Sequence, residues 1–552
     1  MQPAVAPDGT LTYTLAPNAF GSTIVSVVAQ DDAGASSAAQ TFTISITGVN
    51  DAPSFVPGGN VSANEDAGAQ SIGWATGISA GPSEAGQALA FNVSNDNNAL
   101  FSVQPAISAG GVLTFTSAPN AFGSAIVTVS LSDNGGTANG GVDTSASITF
   151  TLTINAVNDP PAAAADAFDT IGNTLLQVSG SKTVADPAVF VTGSVLANDA
   201  DIDSAGSLNA ALVPASVTGG ASVTMNADGT FTYLPAPGHA GATDSFQYTV
   251  SDGSASSTGT VTITLKGRVW YVRNNGPAGS GRSTNSFSTL SDAQALSVAG
   301  DTIYVYAGDG TTTGQNAGFV LKSGQRLIGQ GVALTVPVSV NGGASPTVLL
   351  AAGAKAKVTN AAPIVSAANI GNIEVAGLDL SSSPQDGIRL TNVTNAAVST
   401  VTIANNLGNG ITGTNVNGFT LGSSTVTGNG DDAAADEAGI RFDNLTGSAA
   451  ISNTTISGSI EDNVRVVNTG GVLDRITFTN VTVGANAAAT GNDGVFLQAS
   501  NSATFKVTVQ NSTFTAARGD LFQFSVRDNA VTDLVFTNNA LSNNHPNVVS
   551  GG

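Results

Sequence analysis

The chain has 552 residues, 16 Lys+Arg against 38 Asp+Glu, a net charge of −22 and no cysteine. This charge excludes a nucleic-acid partner, whose phosphates need a basic surface. The missing cysteines exclude disulfides, thiolate catalysis and Cys-based zinc sites. His239 and His545 are the only histidines, too few for a multi-His metal centre. No apolar run approaches the ~18 residues of a membrane span. A hydrophobic content of 41% supports packed cores. Met1-Gln2-Pro3-Ala4 lacks the basic and apolar regions of a signal peptide.

The first half is a set of repeats. Pro17-Asn18-Ala19-Phe20-Gly21-Ser22 returns as Pro119-Asn120-Ala121-Phe122-Gly123-Ser124, 102 residues later, and Val49-Asn50-Asp51 returns as Val157-Asn158-Asp159. Asp228-Gly229-Thr230-Phe231-Thr232-Tyr233 matches Asp8-Gly9-Thr10-Leu11-Thr12-Tyr13 as a third copy. Thr41–Ile46, Ile148–Ile154 and Val261–Leu265 alternate apolar and hydroxyl residues, the pattern of half-buried strands. Units of this size with Gly/Asn/Asp turns predict β-sandwiches. Residues 1–50 supply only the second half of a unit. The expectation is a fragment of a longer array, with a partner that supplies the missing strands as the alternative.

Acid is concentrated here. Residues 1–265 hold 20 Asp+Glu and one base, Lys182, whereas residues 266–552 are nearly balanced at −3. Without cationic neighbours such a segment repels itself, and short Asp side chains in loops suit Ca²⁺. The endings Val49-Asn50-Asp51-Ala52-Pro53 and Val157-Asn158-Asp159-Pro160-Pro161, with Asn64-Glu65-Asp66, resemble bacterial cadherin-like tandem repeats. Val195–Asp203 resembles the "LANDxDxD" of related VCBS-type repeats of giant adhesins. The resemblance covers residues 1–266 and implies Ca²⁺ at or near domain junctions. The candidate ligands are Asp31, Asp32, Asn50, Asp51, Glu65, Asp66, Asp133, Asn158, Asp159, Asp199, Asp201, Asp203 and Asp252. Turn chemistry, in which Asn and Asp cap loops and Pro fixes the next φ, accounts for the same residues without a metal.

The pattern changes near Gly267. Trp270-Tyr271-Val272, a short amphipathic stretch Ser288–Leu296 and Gly300–Val305 resemble the N-terminal cap of pectate-lyase-like right-handed parallel β-helices. One strand series, starting at Gly387, Gly410, Gly439, Asn463, Gly494 and Leu521, recurs at spacings of 23, 29, 24, 31 and 27. A second, starting at Val398, Leu421, Ile451, Phe478, Val509 and Phe536, recurs at 23, 30, 27, 31 and 27. Two series drifting together mean one coil per period with variable loops, and the turn residues Asn405-Asn406, Asn453, Asn480, Asn511 and Asn538-Asn539 predict amide ladders. The chain reaches Ser550-Gly551-Gly552 without an obvious cap, which is expected of a truncation or of a continuation into other domains.

The predicted fold is therefore all-β: tandem Ig/cadherin-like sandwiches followed by a right-handed parallel β-helix. The predicted domains are a partial sandwich 1–50, sandwiches 51–158 and 159–266, and the β-helix with its cap 267–552.

Two features of the β-helix carry candidate chemistry. Arg389, Arg441 and Arg465 share one strand position, and Asp386, Asp462, Asp493 and Asp520 recur just before that strand. The acidic loop Asp431–Glu437, with Asp436 and Glu437, protrudes. Outward Arg–Asp pairs and a solvated loop explain both without a substrate. The expected function is a bacterial extracellular or cell-surface adhesive rod, stiffened by Ca²⁺. It would meet a surface or matrix polysaccharide or protein, or assemble with itself into filaments. A polysaccharide lyase or hydrolase is the alternative.

Overall fold

The computed structural model describes residues 2–185, 187–203, 207–432, 436–545 and 547. The chain divides into two compact units, residues 1–159 with 202–205 and residues 160–201 with 206–552.

In the first unit, the second repeat is a sandwich. One sheet runs Val61–Asn64, Ile148–Asn155, Gly123–Ser132, Ala90–Asn95 and the other Phe101–Ile107, Val112–Ser117, Gln70–Gly73. Period-two alternation sends Ala125, Val127 and Val129 inward, to meet Leu113, Phe115 and Leu152. Trp74 anchors this core. Its ring lies 4.5 Å from that of Phe150 and its indole N–H donates to the Gly59 carbonyl at 3.0 Å. The first repeat consists of two antiparallel pairs, Ala4–Val5 with Leu11–Thr12 and Gly21–Val27 with Gln40–Ile46.

In the second unit a sandwich and a solenoid are continuous. The strand Ser256–Val272 pairs antiparallel with Thr243–Ser251 and parallel with Asp166–Gly172. Its last residues, Val269–Val272, pair parallel with Thr302–Val305, where the solenoid starts. The change of pattern near Gly267 thus falls inside one strand. A single core joins Ile171, Leu176 and Phe231 of the sandwich to Tyr271, Tyr304 and Ile328 of the first coils. Asp301 ties the same place together from the polar side. It accepts from Arg268 Nε and Nη2, each at 3.0 Å, from Trp270 Nε1 at 2.9 Å and from the Val298 N–H at 2.8 Å.

About nine turns of parallel β-solenoid follow. Both strand series predicted from spacing are in register. Ile388, Ile411, Ile440, Val464 and Val495 form one inward column, and Val398, Leu421, Ile451, Phe478, Val509 and Phe536 another. A third runs Ile403, Val426, Ile456, Val483, Phe514 and Leu541. Each fully buried side chain of these columns contributes about 1.5–3 kcal/mol. The helix Leu290–Leu296 is capped by Thr289 and buries Leu290 and Ala293 against the first coils. Of the turn asparagines expected to stack, Asn480 donates to Asn453 at 3.1 Å, and a longer ladder outside that set runs through Asn392, Asn415 and Asn444, which each donate to the Asn one coil earlier at 2.8, 3.1 and 3.3 Å. All three have φ of 51–60°, which Asn tolerates best among residues with a Cβ. Residues 548–552 lie outside the described residues.

Candidate functional site

The Asp and Asn candidates separate into local groups. In the first unit, Asn50 is a hub. Its Nδ2 donates to Asp133 Oδ1 at 2.9 Å and to the Val142 carbonyl at 2.8 Å, and its Oδ1 accepts from Gln87 Nε2 at 2.7 Å. Asp133 Oδ2 and Gln87 Oε1 of this cluster are buried without a hydrogen-bond partner. Next to it, the Asp51 N–H donates to Glu84 at 3.2 and 3.3 Å. Glu65 is buried. Its Oε1 accepts from the Val157 N–H at 2.8 Å, and its Oε2 is buried without a partner. The Asp159 N–H donates to Asp203, and Asn158 Nδ2 to the Asp159 carbonyl at 3.1 Å. Asp66 is exposed and accepts from the Asn120 N–H at 3.4 Å.

In the second unit Asp199 meets an unpredicted pair. Tyr248 Oη lies 3.0 Å from Asp199 Oδ2 and 3.1 Å from Asp166 Oδ2, yet a phenol has one hydrogen to give. Burial pushes the Asp166 carboxyl up to about 6; the Tyr248 hydroxyl opposes this and the charge of Asp199 adds to it. Asp201 is half-buried. Asp31 and Asp252 instead close their own turns. Asp31 accepts from Ala33 and Ala35 N–H at 3.1 and 2.7 Å, Asp252 from Ser254 and Ala255 at 2.6 and 2.8 Å, and Asp32 is exposed. Gln87, Glu84, Asp166 and Tyr248 were missed because none sits in a repeated motif. The only signal for Asp166 is its place shortly after Asn158-Asp159-Pro160-Pro161.

No group of three or more His, Cys, Asp or Glu suited to a metal occurs among the described residues. The atoms of the Asn50 cluster and of Glu65 that could ligate a cation are all oxygen, and the unpartnered ones, Asp133 Oδ2, Gln87 Oε1 and Glu65 Oε2, are buried acceptors. That chemistry fits a hard cation such as Ca²⁺ and not zinc.

On the solenoid, Arg389, Arg441, Asp431 and Glu437 line one polar cleft of about 600 Å³, together with Asp386 and Asp443. Arg441 and Arg465 are register neighbours on adjacent coils. Each guanidinium has a carboxylate at hand: Arg389 Nε to Asp386 at 2.7 Å, Arg441 Nε to Asp443 at 3.3 Å, Arg465 Nη1 to Asp462 at 3.2 Å and Nη2 to Asp436 at 3.5 Å. Glu437 Oε2 accepts from the Asp431 and Asp432 N–H at 2.8 and 2.9 Å and so folds its own loop. Residues 433–435 of that loop lie outside the described residues. Burial raises the Asp462 carboxyl and lifts that of Asp493 to about 6.

Fold and sites together describe cadherin-like sandwiches joined to a parallel β-solenoid. Residues 158–267 match the family model "Bacterial cadherin-like domain". Among solved structures, Drosophila N-cadherin EC1-4 is 12% identical, with 50% of this chain and 71% of that one covered and a TM-score of 0.20. Mouse protocadherin-24 EC1-3 is 14% identical over 48% and 86%, with a TM-score of 0.27. Human protocadherin-24 EC1-2 is 18% identical over 39% and 99%, with a TM-score of 0.25. Similarities of that degree carry no argument about function. No curated protein matches the chain. No helix among the described residues is long and apolar enough to cross a membrane. A cadherin-like domain joined to a β-solenoid points to an extracellular protein of the adhesion type.

Proposed function

We propose that this is a bacterial surface adhesin. In this reading, residues 1–50, 51–158 and 159–266 are Ca²⁺-binding cadherin-like repeats, and residues 267–552 present a solenoid to a surface or matrix partner. The observation that carries the reading is the match of residues 158–267 to the bacterial cadherin-like domain in a unit whose core is shared with the solenoid. The buried oxygens of Glu65, Asp133 and Gln87 without hydrogen-bond partners support Ca²⁺. Asn50, with its side chain on Asp133 and Gln87, would hold that cluster together. Asp51, Asp159, Asp199, Asp201 and Asp203 remain the further candidate ligands. Calcium titration into EDTA-treated protein, followed by calorimetry, tests this. Binding should raise the melting temperature, and Glu65→Gln or Asp133→Asn should weaken it. Identical melting in Ca²⁺ and EDTA would overturn the metal assignment.

A second reading, polysaccharide cleavage, has the polar cleft around Arg389, Arg441 and Glu437 in its favour. The carboxylate partners of those arginines count against it, because they satisfy the charge without a substrate. Incubation with pectate or alginate, followed for unsaturated products, separates the readings. Activity abolished by Arg441→Ala would favour the enzyme.

A further inference from the structure

Arg273 is a cation without an anion in a chain of net charge −22. It follows the end of Ser256–Val272, and Tyr306 follows the end of Thr302–Val305, whose Val305 is the parallel partner of Val272. Neighbouring parallel strands stand about 4.8 Å apart. The Arg273 guanidinium accordingly lies over the Tyr306 ring, 4.0 Å from its centroid. Cation–π attraction holds it there and leaves its N–H edge free. Arg268, Arg326, Arg441, Arg465 and Arg475 each have a carboxylate partner. Among the described residues, no acceptor meets the Arg273 side chain. Asp309, three residues after Tyr306, is engaged elsewhere. It accepts from Asn274 Nδ2 at 2.7 Å and from the Thr311 N–H and hydroxyl at 2.8 Å each.

The guanidinium borders a cavity of about 300 Å³ where the second-unit sandwich meets the first coils. Ala185 and Pro187 of the sandwich and Leu350 of the hairpin after Leu334–Val336 give it apolar walls, and no described carboxylate lines it. Its polar groups are donors. Gln330 spends its Oε1 on the Ala307 N–H at 3.0 Å, and its Nε2 has no acceptor among the described residues. Beneath Tyr306, the Tyr304 ring stands edge to face at 4.9 Å. Tyr304 is fully buried, and its hydroxyl has no hydrogen-bond partner. Burial raises the pKa of that hydroxyl, and the Arg273 charge opposes the rise, so the two groups sit within reach of one another's field. A guanidinium, an amide and a buried phenol without acceptors are costly to keep around an acid-free space unless an anionic oxygen enters it.

We propose that this cavity binds one small monocarboxylic acid, with its carboxylate on the Arg273 fork and its short body between Pro187 and Leu350. One guanidinium balances one negative charge, and its planar fork matches a carboxylate. A volume at the small end of ligand pockets suits a single small acid and not a polymer chain.

Titration calorimetry on the full chain, at constant ionic strength, tests this with propionate and galacturonate as probes and propionamide as the uncharged control. One-to-one binding of at least one acid is expected. Galacturonate alone would mark the ligand as a sugar acid, and both acids together as a plain carboxylate. Arg273→Gln should weaken binding about tenfold or more. Tyr304→Phe should also weaken it, yet leave the melting temperature of the free protein unchanged or higher, because the hydroxyl has no bond to lose there. Asp186, between two lining residues, lies outside the described residues. Asp186→Asn should leave the affinity unchanged. The proposal is overturned by wild-type protein that binds neither acid, by binding that appears only after Asp186→Asn, or by equal binding of propionamide. Undiminished binding to Arg273→Gln overturns it as well, and so does a lower melting temperature for Tyr304→Phe, which would show the hydroxyl already satisfied.

Discussion

Asp301→Ala tests whether the cadherin-like sandwich and the solenoid are one body. Asp301 is 4% exposed and, among the described residues, is the only carboxylate paired with Arg268, whose side chain is 13% exposed. Removing one partner of a buried pair costs about 3–5 kcal/mol, because the other charge is left without compensation. The Trp270 indole N–H and the Val298 N–H also lose their acceptor, at about 1–3 kcal/mol for each buried donor. These losses share one site and do not add, so about 4–5 kcal/mol is a reasonable total. An unfolding entropy of about 2.1 cal/mol/K per residue gives roughly 0.8 kcal/mol/K for a unit of this size. The melting temperature should then fall by about 5–6 °C. Differential scanning calorimetry with hydrogen exchange is the assay. Sandwich strands such as Thr243–Ser251 and early solenoid strands such as Arg326–Gly329 should lose protection together. Arg268→Met in the Asp301→Ala background should recover part of the loss. A cost under about 1 kcal/mol, or a shift confined to one of the two parts, would refute the reasoning.

Three other outcomes are expected. Asn406 is buried, donates to the Leu380 carbonyl at 3.1 Å and to Asn429 Oδ1 at 3.0 Å, and accepts from the Ser383 N–H at 2.9 Å. Asn406→Ala should therefore cost about 2–4 kcal/mol in urea unfolding. Asn415→Ala, in an exposed turn with φ of 52°, should cost about 1–2 kcal/mol and Asn415→Gly much less. Asp493 is held by burial at a carboxyl pKa of about 6, above the usual 3.8. The folded state thus keeps a proton that the unfolded state releases. This group's contribution is full below pH 3.8 and is lost as the pH rises through 6. Asp493→Asn, which keeps the acceptor for the Asp520 N–H, should be neutral near pH 4 and stabilising at pH 7, as read from denaturation midpoints at both pH values.

The solenoid was legible because its signal is additive. One inward residue per coil, repeated six times at drifting spacings, leaves little besides stacked parallel strands, and the register of Val398 through Phe536 follows those spacings. The Asn453–Asn480 rung was legible for the same reason, whereas the ladder through Asn392, Asn415 and Asn444 lay at turns that were not singled out. The join between sandwich and solenoid was not legible, because Ser256–Val272 stays one strand while its last four residues, Val269–Val272, change partner and become buried on both faces. Composition shifts near Gly267, but the backbone has no reason to stop there. The Arg column was readable as a column, and Asp386 and Asp462 as its partners, since both precede their arginine by three residues. The cleft was not readable. It brings Asp431 and Glu437 of the long loop to one cleft with Arg389 and Asp386 of an earlier coil, a juxtaposition that strand spacing does not specify.

The acidic surplus of the first half now divides by what each oxygen already holds. Asp8, Asp31, Asp228 and Asp252 accept from N–H groups of their own turns. The Thr10 and Thr230 donors hold Asp8 and Asp228 below the usual carboxylate range. Asp8 and Asp228 are thus stabilised as anions by the turn itself. Glu65 and Asp133 differ, because each has one oxygen satisfied and the other buried with no donor. A buried carboxylate oxygen without a hydrogen-bond donor is costly unless a proton or a cation reaches it. Net charge pointed to all these carboxylates equally, whereas the hydrogen bonds set Glu65 and Asp133 apart from the acids that close their own turns. Monovalent salt screens the surplus as a whole. A site at Glu65 or Asp133 would instead respond to Ca²⁺ at concentrations too low to change the ionic strength, and that response separates binding from screening.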